Sequence, residues 1–100
     1  MPKLYEYFGM VIFFYSNEHE PVHVHCRWEN YESKVEFQIE NGVVTSVTLC
    51  RVSGKKPLPL RQAKMFKHLA TQLCDEIVAN WVNFFVLNKK IVCKKIEKIG

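Results

Sequence analysis

One hundred residues, 48% of them hydrophobic, suffice for one packed core, which excludes intrinsic disorder and leaves no length for a second domain. A net charge of +4 suits an acidic partner and equally suits ordinary solubility, so charge alone assigns no ligand. No apolar run reaches the roughly 18 to 20 residues of a membrane-spanning helix, and Glu6 breaks the early apolar stretch that a secretory signal would need, so a cytoplasmic protein without membrane contact is expected.

Residues 4–15 are an almost unbroken aromatic and β-branched run, the pattern of a strand covered on both faces, and they predict a central strand. Asn17, Glu18, His19, Glu20 and Pro21 end it with turn-forming and charged groups, which predicts a loop. Val22, Val24, Cys26 and Trp28 then alternate with His23, His25 and Arg27, so a second strand is expected whose histidines point away from the interior. Glu29, Asn30, Tyr31 and Glu32 read as a turn, and Val35, Phe37 and Ile39 alternate with polar residues to complete a hairpin. Asn41-Gly42 is the strongest turn signal of the chain and leads into a third β-rich run over residues 43–49.

Ser53, Gly54, Lys55, Lys56, Pro57 and Pro59 form a polar connector, after which a helix is expected to start near Leu60. Ala63, Phe66, Ala70, Leu73, Ile77, Trp81 and Phe84 recur at spacings of three and four, one face of a helix laid on a sheet. Carried unbroken to Leu87 it would exceed about 25 residues and about 38 Å, so a kink or a split into two helices is expected. Its second half is apolar nearly all round, which marks Trp81, Val82, Phe85 and Val86 as an interface with a small partner protein or a second copy. Residues 91–99 alternate apolar groups with lysines, as an edge strand does. The expected fold is therefore α+β: an antiparallel meander of about four strands, one long or kinked helix (or two helices), and a short C-terminal edge strand.

Two histidines spaced by two on one strand face lie about 7 Å apart at Cα, within reach of one metal ion. His23 and His25, with His19, Glu18 or Glu20 folding back as a third ligand, would describe a divalent metal site such as zinc. The same groups without metal, His19, His23 and His25 with Arg27 steadying a phosphate, would suit general acid–base cleavage of RNA. The commoner reading is structural, with the imidazoles on a loop-covered or exposed strand face and hydrogen-bonded to the preceding turn. Arg51, Lys55, Lys56 and Arg61 form a basic stretch around the connector that suits nucleic-acid phosphates, though a solvated face explains most such clusters. Cys26, Cys50, Cys74 and Cys93 are scattered singly and read as reduced core residues.

The run Phe8-Gly9-Met10-Val11-Ile12, followed by Asn17-Glu18-His19-Glu20-Pro21-Val22-His23-Val24-His25, resembles the opening of a small bacterial family known as domain of unknown function 4160. Leu58-Pro59-Leu60-Arg61 and Asn80-Trp81 resemble the start and end of its helical part, so the similarity spans nearly the whole chain. Glu18 and Val22 depart from the Asp and Pro usual in the family. The resemblance implies a compact α+β domain, draws attention to His19, His23 and His25, and implies a toxin–antitoxin-like setting with a protein partner; it brings no assigned reaction.

Overall fold

The computed structural model describes residues 2–16 and 21–97. In chain order the elements are β1 Lys3–Tyr7, β2 Met10–Phe13, β3 His23–Trp28, β4 Tyr31–Glu40, β5 Val43–Arg51, α1 Leu60–Gln72, α2 Cys74–Trp81, a π-helical turn Val82–Val86, and β6 Lys94–Ile96. They build one sheet of order β5-β4-β3-β2-β1-β6. Pairing is antiparallel except at the edge, where β6 joins β1 in parallel. The α+β class, the split helix and the lysine-bearing edge strand agree with the sequence pattern.

The expected central strand over residues 4–15 is a hairpin instead. Phe8 and Gly9 take φ of 47° and 79°, the double positive φ of a mirror-image turn, and fold β2 back onto β1. The run is apolar on both sides because β2 is an inner strand: Ile12 faces the helices, Phe13 faces the other way, and both are wholly buried. The next turn is tighter than the sequence suggests, since Trp28 pairs directly with Tyr31 across Glu29 and Asn30. Tyr31 and Glu32 therefore belong to β4. Asn41 and Gly42 form the expected turn, with φ of 52° and 78°.

On one face of the sheet Ile12, Val24, Cys26, Val35 and Phe37 meet Ala63, Phe66, Leu69, Ala70, Ile77 and Trp81 from the helices. Helix α1 starts at Leu60 as expected, the Ala63 N–H donating to the Pro59 carbonyl at 2.8 Å. It breaks at Leu73, whose φ of −107° and ψ of 20° leave the helical region. The Thr71 hydroxyl donates to the Lys67 carbonyl at 2.7 Å, one turn back, an arrangement that bends helices. Geometry favours the break: a straight helix to Leu87 would run about 42 Å, whereas the molecule extends 32 Å along its longest axis. Tyr5 and Lys94 donate to Glu76 at 2.8 and 3.0 Å, tying α2 to β1 and β6.

All four cysteines are free, but the expectation of core positions holds for Cys26 alone; Cys50 and Cys74 are half-buried and Cys93 is exposed. No helix among the described residues is long and apolar enough to cross a membrane.

Candidate functional site

Strand β3 runs extended, as its alternation predicts, yet its imidazoles do not meet solvent. His23 is 7% and His25 5% exposed, which corrects the expectation that they point outward. The reason lies in the side chains that share this face of the sheet and pack over the rings. Phe13 stacks on His25 with ring centroids 5.5 Å apart, and Tyr15 meets the same imidazole edge-on at 4.6 Å. The Arg27 guanidinium lies 5.1 Å from the centre of the Phe13 ring. Period-two alternation tells which side chains share a face but not whether that face is wet, so the sequence could not separate these cases.

The common partner of Tyr15, His25 and Arg27 is Glu32, which its sequence neighbours suggest is in a turn and which the register places in β4 opposite Arg27. Its carboxylate is almost wholly buried. The Tyr15 hydroxyl donates to Oε2 at 2.8 Å, His25 Nδ1 lies 3.2 Å from the same oxygen, and Arg27 Nε lies 3.7 Å from Oε1. A buried carboxylate without such company would be strongly disfavoured, so tyrosine, imidazole and guanidinium together make its position tenable. The signal that could have found it is its spacing from Lys34 and Glu36, the same-face positions of β4. Burial raises the Tyr15 hydroxyl above its ordinary range, the Glu32 carboxylate adds to that, and Arg27 opposes it. Burial, with Glu32 behind it, also pushes the Cys26 thiol far up, which makes it inert.

His23 is held differently. Its Nδ1 lies 2.8 Å from the Pro21 carbonyl, which can only accept, so the proton sits on Nδ1 and the ring is tied to the preceding turn. That is the structural reading of this residue. The ring lies 5.1 Å from that of His25 and 5.4 Å from that of Trp81. Among the described residues no three His, Cys, Asp or Glu side chains converge to hold a metal ion. His19, with Glu18 and Glu20, lies outside the described residues.

The remaining sequence candidates fall at two other places. Arg51, Lys55, Lys56 and Arg61 are all exposed, and the connector is pinned to the sheet where the Glu32 N–H donates to the Lys56 carbonyl at 2.9 Å. Leu58 follows with its N–H on the buried Ser33 hydroxyl at 3.0 Å. At the end of α2, Trp81 is a core residue, against the expectation of an exposed interface position: it is 5% exposed and packs against Phe14 and Phe85. Phe85 is half-buried, whereas Val82 and Val86 stand 40% and 65% exposed, with Leu87 beside them at 51%. The wider π-helical turn, closed by Leu87 N–H donating to the Val82 carbonyl at 3.1 Å, presents these residues outward.

The family model described as a domain of unknown function (DUF4160) matches residues 9–82. The chain belongs to the DUF4160 family. The DUF4160 match spans β2 to the end of α2, so the Glu32 cluster and the basic connector lie inside it, while Val86, Leu87 and β6 lie beyond. Searches of curated proteins and of solved structures gave no match.

Proposed function

We propose that this DUF4160 protein is an interaction module of toxin–antitoxin type, which binds a small partner protein through its apolar helical end and contacts nucleic acid through the basic connector. The observation that carries the protein-binding part is the exposure of Val82, Val86 and Leu87 side by side, directly after the tightly packed Trp81. Three large aliphatic side chains left in water at one end of a small domain lose nothing by being covered and gain from it. A hydrolytic or metal-binding use of His23, His25 and Arg27 finds no comparable support, because both imidazoles are buried and engaged among their neighbours.

Light scattering on the purified chain, alone and mixed with the product of the adjacent gene, tests this reading. A defined complex is expected, and Val86→Asp, which places a charge on an already exposed position, should weaken it about tenfold or more while leaving the fold intact. A monomer that ignores the neighbour's product, or a complex indifferent to Val86→Asp, would reject the assignment.

A further inference from the structure

Phe8 is the least expected residue on the surface. It is 63% exposed, and its backbone sits at φ 47°, a region that glycine and asparagine enter readily and bulky residues rarely do. For the hairpin alone Asn-Gly would serve better than Phe-Gly. The Phe8 ring meets that of the adjacent Tyr7 at 4.8 Å between centroids, yet most of it stays in solvent, and a strained backbone that leaves an aromatic ring so exposed favours a ligand over stability alone.

The surroundings of Phe8 supply the explanation. A cleft of about 340 Å³ is lined by Phe8, Trp28, Arg61, Gln62 and Met65. Trp28 forms the far wall, and its indole nitrogen lies so near the hairpin that a Cβ on Gly9 would stand 3.6 Å from it. Behind Trp28, Tyr31 stacks nearly parallel, with centroids 5.9 Å apart and planes 18° apart. Tyr31 also walls a second, smaller cleft where Arg27 and Lys55 stand with Glu29 and the buried Glu32, and its backbone is bridged to Lys56. Two clefts, one with Phe8, Trp28 and Arg61 and the other with Tyr31 and Lys55, are thus joined by the Trp28–Tyr31 stack, with Lys56 bridged to Tyr31. A larger cleft of about 570 Å³ on the other side of Phe8 carries Glu6 and Glu97 against Lys95, a balance unsuited to an anion.

We propose that the Phe8–Trp28 cleft binds single-stranded nucleic acid, with an unpaired base inserted between the two aromatic side chains and the flanking phosphates on Arg61, Lys55 and Lys56. This rests on the reading of the connector as a nucleic-acid contact and names the residues that read the base. Aromatic planes with cations beside them are what a single strand requires, since every base offers a π face and every link a negative charge. A duplex fits poorly, because its bases are already stacked. Glu29 borders the Lys55 cleft as its exposed acid, which leaves the Arg61 side as the better phosphate position.

The test is fluorescence anisotropy with labelled fifteen-nucleotide oligo-dT and oligo-U, alongside a duplex of the same length, for the whole chain and for Phe8→Asn and Arg61→Ala. Phe8→Asn is chosen because it creates the preferred hairpin turn, so the fold should be kept or strengthened while the ring is lost. Expected are binding of at least one single strand in preference to the duplex, and about a tenfold or greater loss in Phe8→Asn. Arg61→Ala should weaken binding and lower the slope of log affinity against log salt by about 0.7. If Arg61→Ala loses affinity but Phe8→Asn does not, the connector still contacts nucleic acid and the base-stacking cleft is wrong. Equal affinity for the duplex overturns the cleft as well, and no binding of any probe at low salt overturns both.

Discussion

The two faces of β3 are both largely buried, and they are held together by opposite means. On the helix side Val24 and Cys26 pack among Ile12, Val35, Phe66 and Ile77, where shape and apolar area do the work. On the far side His25 and Arg27 pack with Phe13, Tyr15 and Glu32, where a buried carboxylate has to be matched atom by atom. The contrast teaches that an alternating polar pattern in a sheet marks a change of chemistry across the strand and not a boundary with water. It also means that the two faces should answer mutation differently.

The largest effect is expected on the apolar side. Phe66→Ala empties a fully buried site between helix and sheet and should cost about 3–5 kcal/mol in a urea titration. On the polar side Glu32→Ala removes the common partner of Tyr15, His25 and Arg27 and should cost about 1–3 kcal/mol, less because Arg27 can turn to solvent. Glu32→Gln, which keeps an acceptor for the Tyr15 hydroxyl, should lose less than Glu32→Ala. A Glu32→Ala variant as stable as the parent would show that the second face is not held by this network, and the comparison would break. The smallest effect concerns Glu76, whose carboxyl is held below its ordinary range chiefly by Lys94 and then by Tyr5. A lowered pKa in the folded state contributes stability that is present above the unfolded carboxylate value of about 4.5 and fades as pH falls through the folded value. Glu76→Gln should therefore flatten the acid limb of the stability profile slightly, as measured by thermal melts between pH 3 and pH 6 (about the range set by these values). Partial exposure of Glu76 keeps this effect small.

How far the site was legible depends on which residue is asked. Asn41-Gly42 announced its turn because two positive φ angles suit few other pairs. Phe8-Gly9 hid the same geometry inside an apolar run, since phenylalanine signals strand and only the glycine hinted at a reversal. His23 and His25 were found by type and spacing, but their burial was not, because burial is set by what lies above the strand. Glu32 was missed altogether: it follows a two-residue turn, and reading that turn as four residues removed it from the strand whose face it anchors.

By itself the sequence determined the α+β class, the start of α1 at Leu60, the need for the helix to break, and the lysine edge, all of which follow from periodicity, turn chemistry and chain length. Only the tertiary structure decided that the histidine face is interior, that Trp81 is core while Val82 and Val86 are surface, and that Phe8, Trp28 and Arg61 share one cleft. The physical reason is range. Periodicity and propensity act over a few neighbouring residues, whereas burial and convergence depend on which distant segments the sheet order brings together, and β3 is buried by residues of β2, β4 and the helices.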